Sequence, residues 1–312
     1  EGACHRLMPA DATVRTGLAG APLKGKVEKT PDGPFLLGLS GVFLCKGQRT
    51  LGAGVQRAAA LCRGAPGGVP QEQFSLHNPL IYSTIQASKE GNVSERVVIT
   101  GIGAVTPLGL DMPSTWDGLL NGRSGMDYIT AFETEGFETT FAAEVKGFDP
   151  ANYLDRKEAR RMDRFVHFAI AATKEAMADA RFVINDGNAT DVGVIIGSGI
   201  GGIITLSEQM QVLAQKGPGR ISPFLIPMMI GNMAAGQTSI VTGAKGPNFA
   251  TVSACSSGAD AVGQAFETIR RGDARVMLAG GTEAPICPIG VSAFNAARAL
   301  STRNSAPQGA SR

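Results

Sequence analysis

A cysteine among small residues is the first candidate for chemistry. Cys255 stands in the run Asn248-Phe-Ala-Thr-Val-Ser-Ala-Cys255-Ser-Ser-Gly258-Ala-Asp-Ala-Val-Gly-Gln-Ala-Phe266. The run reads as a short β-branched strand, a one-residue elbow and then a helix. Ala259, Val262, Phe266 and Ile269 are spaced to share one helical face. Arg270-Arg271-Gly272 predicts the end of that helix, cations first and glycine last. The thiol therefore falls where a strand turns into a helix N-terminus. Unpaired N–H groups gather partial positive charge there, and such charge favours the thiolate, the nucleophilic form of sulfur. Ala254, Ser256, Ser257 and Gly258 leave room for a bulky thioester, and the Cys255 N–H could point at an oxyanion. The same pattern also fits a buried cysteine in a tight strand–helix turn, so this segment alone leaves catalysis and packing both open.

Other residue types point to less. Cys4, Cys45, Cys62 and Cys287 complete five cysteines with no CxxC spacing, a pattern that does not suggest a disulfide framework or a zinc site. None of the four has a setting comparable to that of Cys255. A reducing cytosol, hence a cytoplasmic location, is the default. His5, Cys4 and His77 have nothing to bring them together, and no metal or bound cofactor is expected. His167 falls within a helical pattern and reads as an ordinary helix-face residue. Gly197-Ser-Gly199-Ile-Gly-Gly202 matches the dinucleotide fingerprint after a strand. That site also needs an acidic residue about 20 positions on, and Gln209 to Ala259 contains no Asp or Glu. The glycines read instead as a tight turn that lines a cavity or meets another backbone.

The elements that must hold these residues form an α/β pattern. Strands at Val97–Gly103, Val192–Gly197 and Arg275–Gly281 alternate with helical stretches at 156–181, 203–215, around 227–242 and after Cys255. A short helix over 115–121 follows Ser114, read as its cap with Asp117 at the third position. This order predicts a mostly parallel sheet with helices on both faces. Residues 1–94 read differently. Gly64-Ala-Pro-Gly-Gly-Val-Pro70 and similar runs break every candidate element, so 1–94 is expected to be a poorly structured or non-native leader, and 95–312 the ordered domain. Residues 1–94 carry 10 Lys and Arg against 6 Asp and Glu, and residues 95–312 carry 19 against 21. The near-neutral larger part argues against a nucleic-acid binder. No run of 18 apolar residues predicts a membrane span. Glu1 and the polar Ser311-Arg312 both read as cuts.

From about Arg96 to Arg312 the chain resembles the bacterial β-ketoacyl-acyl carrier protein synthases, type II in particular, the thiolase-like condensing enzymes of fatty-acid synthesis. The resemblance rests on Val97-Val-Ile-Thr-Gly-Ile-Gly-Ala-Val-Thr-Pro-Leu-Gly109, Arg161-Met-Asp163, Gly197-Ser-Gly-Ile-Gly-Gly202 and Ile221-Ser-Pro-Phe224. Gly246-Pro247, Ala254-Cys255, Ala279-Gly-Gly-Thr-Glu283 and Ala296-Ala-Arg-Ala-Leu-Ser-Thr-Arg-Asn304 complete it. It implies the first half of an α-β-α-β-α fold with a five-stranded sheet. It also implies a ping-pong Claisen condensation in which Cys255 takes an acyl chain from carrier-protein phosphopantetheine. By the same resemblance Phe294 lines the acyl pocket, with Leu206 and Leu225 as further candidates. Lys157, Arg160, Arg161, Arg220 and Arg298 become candidates for docking an acidic acyl carrier protein, and the intact enzyme is expected to be a homodimer.

One departure qualifies this. The family's two histidines and lysine lie beyond the Ala-Leu-Ser-Thr-Arg-Asn segment, and the only histidines here are His5, His77 and His167. The resemblance therefore implies a chain that is not competent for decarboxylating condensation by itself. Two alternatives stand beside it. One is a non-catalytic, thiolase-like chain-length partner of a polyketide synthase, disfavoured because such partners usually replace the cysteine. The other is an NAD-binding oxidoreductase, disfavoured by the missing acid.

Overall fold

The computed structural model describes residues 40–48 and 96–310. Its centre is a five-stranded sheet in the order β2-β1-β7-β5-β6. The strands are β1 (Ser40–Gln48), β2 (Arg96–Val105), β5 (Val192–Gly197), β6 (Asn248–Phe249) and β7 (Val276–Gly281), while β3 (Asp127–Tyr128) and β4 (Phe141–Ala142) form a separate pair. β7 and β5 run parallel from Val276↔Val192 to Gly281↔Gly197, and β6 joins β5 in parallel. β1 is antiparallel to both β2 and β7. Four strands thus point one way and one points back.

Helices cover both faces because the strands alternate. Val194, Ile196, Val276 and Leu278 share a core with Phe165, Val166, Ala169 and Ile170 of α3 (Arg164–Asp179) and Ala234 and Ala235 of α6 (Met233–Thr242). Ile195, Met277 and Ala279 face the other way, onto Ala261, Ala265 and Ile269 of α7 (Ser257–Arg271). Successive residues of a strand point to opposite faces, which sorts one apolar run into two cores. α7 ends where the sequence predicts, with Gly272 in the left-handed region at φ +81 and its N–H on Thr268 and Ile269 carbonyls.

Several expectations are corrected. The helix expected over 156–181 is two, α2 (Arg156–Ala159) and α3. Asp163 breaks it by capping α3, its carboxylate accepting from the Phe165 N–H at 3.4 Å and from Thr205 N–H and Oγ1 at 2.8 and 2.7 Å. The first helix is α1 (Met112–Leu120), capped by Asp111 rather than Ser114; the Asp111 carboxylate accepts from the Ser114 N–H at 2.8 Å. The pattern at 227–242 divides into α5 (Leu225–Met229) and α6, whereas α4 (Ile203–Lys216) agrees with its expected span. The buried face of α7 is Ala261, Ala265, Thr268 and Ile269; Ala259 is exposed and Phe266 keeps 40% of its surface in solvent. Small side chains let α7 approach the sheet closely on that side, which the apolar spacing alone does not reveal.

The largest departure lies in residues 1–94. There, Ser40–Gln48 is a strand at an interior position of the sheet, although glycines interrupt it, and Val42 is fully buried in the α3 core. Cys4, His5, Cys62 and His77 in that segment lie outside the described residues.

Candidate active site

Cys255 occupies a bend between β6 and α7. The strand expected to reach it is only Asn248–Phe249. Beyond it the backbone groups turn to the bend itself. Thr251 Oγ1 donates to the Ser257 carbonyl at 2.7 Å, and the Ser253 N–H donates to Ser257 Oγ at 2.9 Å. Ser257 Oγ in turn donates to the Ala254 carbonyl at 2.7 Å, and the Ser256 and Ser257 N–H groups close on Ser253 and Ala254 carbonyls. Ser253 Oγ also donates to the Asp260 carboxylate. These bonds hold Ala254 at φ +53, a left-handed conformation that is uncommon for a residue with a Cβ. Strain of this kind persists where surrounding contacts over-determine it. The result is a sharp corner with Cys255 exposed at its tip, one residue before the Ser256 cap of α7.

The corner rests on backbone rather than on side chains. A Cβ on Gly197 would lie 2.2 Å from the Ser257 carbonyl oxygen, and one on Gly281 would lie 2.7 Å from Gly258 Cα. The start of α7 therefore sits directly on the C-terminal ends of β5 and β7. The Ser198–Gly202 turn follows β5 alongside, with Gly199 against the Ala254 carbonyl. The glycine run thus meets another backbone, as its spacing suggested. Glu283 ties this turn down. Its carboxylate accepts from the Gly199 N–H at 2.7 Å, Ser198 Oγ at 3.0 Å and the Ile200 N–H at 3.3 Å. Burial nevertheless pushes its carboxyl above the usual range, against those hydrogen bonds. In the sequence Glu283 stands only as the last residue of Ala279-Gly-Gly-Thr-Glu283, with no role attached to it. The signal was an acid two residues past an apolar strand.

The other candidates scatter. Phe294, on α8 (Pro288–Ala296), lines a cavity of about 40 Å³ with Phe141, Ile286 and Leu300. That space holds a water or two, not an acyl chain, and Cys255 does not line it. Leu206 is exposed on α4 and Leu225 opens α5. Lys157, Arg160, Arg161, Arg220 and Arg298 are all exposed, and none of them forms an ion pair among the described residues. Arg161 lies over the Phe224 ring at 4.7 Å, which brings the end of α2 near the Arg220 segment. Arg298 stands on a different element, past α8, at φ +54. His167 Nε2 lies 2.8 Å from the Ala159 carbonyl, and burial lowers its pKa. It joins α2 to α3, a structural role.

Cys287 corrects one expectation, because it too stands at a helix start. It is the N-cap residue of α8, but it is buried, and burial pushes its thiol up. A cavity of about 570 Å³ opens beside Cys287, Arg164, Glu208 and Glu283, and Cys255 does not line it. No cluster of three or more His, Cys, Asp or Glu suited to a metal occurs among the described residues.

Comparison with known proteins fits this geometry. Residues 94–312 match the family described as beta-ketoacyl synthase, N-terminal domain. The 3-oxoacyl-[acyl-carrier-protein] synthase 2 of Synechocystis sp. is 52% identical over 218 residues, 70% of this chain and 52% of the relative. Its counterpart from Staphylococcus aureus is 51% identical over 211 residues, 68% of this chain and 51% of the relative. The crystal structure of a beta-ketoacyl synthase from Burkholderia phymatum shares the fold at a TM-score of 0.61 and 32% identity, over 68% of this chain and 52% of that one. The chain spans about half the length of the curated relatives it matches. Its thiolase-like α/β fold and the matched segment that carries Cys255 make this chain a member of the beta-ketoacyl synthase family.

Proposed function

We propose that this chain carries the nucleophile-bearing half of a β-ketoacyl-acyl carrier protein synthase of fatty-acid elongation. The observation behind this is the exposed Cys255 on a strained corner at a helix N-terminus, inside the matched segment. Cys255 Sγ attacks the acyl thioester on carrier-protein phosphopantetheine. A new C–S bond forms, the old one breaks, and the pantetheine thiol leaves with the proton that Cys255 gave up. Malonyl carrier protein then loses CO₂, and its carbanion attacks the Cys255 thioester to release the β-ketoacyl product and the free cysteine. The Cys255 N–H forms half of the oxyanion hole. Phosphopantetheine arrives with the substrate, so the chain needs no cofactor of its own.

The docking partner is the acidic acyl carrier protein, steered by Lys157, Arg160, Arg161, Arg220 and Arg298. Phe294, Leu206 and Leu225 border the acyl chain once the other half of the fold is in place. That half supplies the groups for decarboxylation, because the His167 ring is tied to Ala159. Exposed Phe249 and Val252 at the β6 edge suit a homodimer contact. A cytoplasmic location goes with this chemistry; among the described residues no helix is long and apolar enough to cross a membrane.

Intact-mass measurement after incubation with octanoyl carrier protein tests the transfer step. The chain gains one acyl group, Cys255→Ala gains none, and Cys287→Ala behaves as the parent. An adduct that survives in Cys255→Ala, or none on the parent, refutes the assignment.

A further inference from the structure

One hydroxyl holds both sides of the Cys255 corner. In the segment 251–260 only Ser257 is buried; the other residues are exposed or half-buried. The sheet pins its main chain. Its carbonyl oxygen lies where a Cβ on Gly197 would come within 2.2 Å, and it accepts from Thr251 Oγ1 at 2.7 Å. Its side chain turns back into the corner. Ser257 Oγ accepts from the Ser253 N–H at 2.9 Å and donates to the Ala254 carbonyl at 2.7 Å. The Ser257 N–H reaches the same carbonyl at 3.1 Å. Buried in this way, the bonds meet little competition from water. The neighbouring Ser256 hydroxyl is exposed and ends on the Ser253 carbonyl at 2.9 Å, so it holds neither group.

The Ala254 carbonyl matters for what lies across its peptide. The unit from the Ala254 C=O to the Cys255 N–H is planar and trans, so the N–H points opposite to the carbonyl. Two bonds from Ser257 to that carbonyl therefore fix the direction of the Cys255 N–H. Left-handed backbone is unfavourable for a residue with a Cβ, and Ala254 at φ +53 would relax without them. A relaxing peptide would swing the donor away.

We propose that Ser257 is a positioning residue for acyl transfer. Its hydroxyl and N–H aim the Cys255 N–H at the oxygen that becomes negative when Cys255 Sγ adds to a thioester carbonyl. Ser257 itself neither gains nor loses a proton in that step. The proposal rests on the reading of Cys255 as the acyl-accepting nucleophile.

Two reactions of the same sulfur isolate this role. Iodoacetamide loses iodide at a saturated carbon and builds no oxyanion, whereas transfer from a thioester builds one. The full chain and its variants receive octanoyl-pantetheine or iodoacetamide at one pH, and mass spectrometry follows the adduct on the Cys255 peptide. Ser257→Ala lowers the acylation rate at least about tenfold and the alkylation rate by no more than about twofold. Thr251→Val removes a bond to Ser257 but leaves both bonds to the Ala254 carbonyl, so it moves the two rates together. Ser257→Thr and Ser257→Val share one shape and differ by the hydroxyl, which repeats the comparison at constant size should Ser257→Ala not fold. The threonine variant then acylates at least about tenfold faster than the valine variant, at similar alkylation rates. Equal losses of both rates in Ser257→Ala leave Ser257 a support of the fold alone and overturn the proposal. An unchanged acylation rate, or equal acylation of the threonine and valine variants, overturns it as well. A parent chain that is alkylated at Cys255 but takes no octanoyl group overturns the nucleophile reading, and the proposal with it.

Discussion

Cys255 and Cys287 both stand at the N-terminal end of a helix, one before α7 and one before α8, yet they differ in every other respect. Cys255 is exposed on a corner whose preceding residue is left-handed. Cys287 has extended backbone at φ −147, follows no such corner, and is buried. Backbone N–H groups of Ile289 and Gly290 favour its thiolate, but desolvation outweighs them. A helix terminus therefore does not make a nucleophile by itself. The corner matters because it lifts the sulfur off the sheet, and the glycines beneath it let the helix start close enough to do so.

The largest effect separates these two cysteines directly. With iodoacetamide near pH 7.5, Cys255 should be alkylated at least about 100-fold faster than Cys287, because access and thiolate fraction both disfavour the buried thiol. Peptide mass mapping over time reads both rates in one sample. Equal rates, or Cys287 first, would remove the distinction on which the catalytic assignment depends.

A smaller effect separates the supports of the corner from residues that merely lie near it. Gly197→Ala puts a methyl 2.2 Å from the Ser257 carbonyl oxygen, so the start of α7 must move. A stability loss of about 1–3 kcal/mol is expected, with the Cys255 alkylation rate shifted and that of Cys287 unchanged. Gly263→Ala, within the same helix, meets nothing within 4 Å. There the change should stabilise by about 0.5–1 kcal/mol. Urea denaturation of both variants checks the opposite signs; two losses of similar size would show that α7 tolerates no added methyl anywhere.

Parts of this arrangement are legible in the sequence, and the boundary follows the range of the interactions. β5 reads correctly from Val192 to Gly197 because a β-branched run ends at a glycine. The end of α7 reads correctly because a glycine C-cap is a local signal. Cys255 stands out for the same reason, small residues around one thiol. By contrast, nothing local marks Ser40–Gln48 as an interior strand, since its partners are β2 and β7, far along the chain. The α7 face misleads because Ala261 and Ala265 bury better than Phe266 when a helix lies on glycine. Glu283 stays silent because its partners, Ser198 to Ile200, are over 80 positions earlier. Cys287 appears unremarkable until Pro288 is seen to open a helix.

The smallest effect concerns the residue that lies between the two cysteines. Glu283 holds the turn that touches Ala254, and it also lines the cavity beside Cys287. Burial raises its folded-state pKa above the unfolded value near 4.5. The folded protein then binds this proton more tightly than the unfolded chain does. The associated stability is fully present below pH 4.5 and is lost as pH rises through the folded value. Glu283→Gln cannot titrate but keeps one acceptor for the Gly199 N–H. The variant should therefore gain on the parent as pH rises from 4.5 towards 8. Urea midpoints of both proteins across that range give the difference, in which the other carboxylates cancel. A difference that does not vary with pH would mean that three hydrogen bonds from the glycine turn fully offset burial. The turn would then be a preformed anion cradle, and the Cys255 side of the molecule would owe its shape to a charge rather than to a proton.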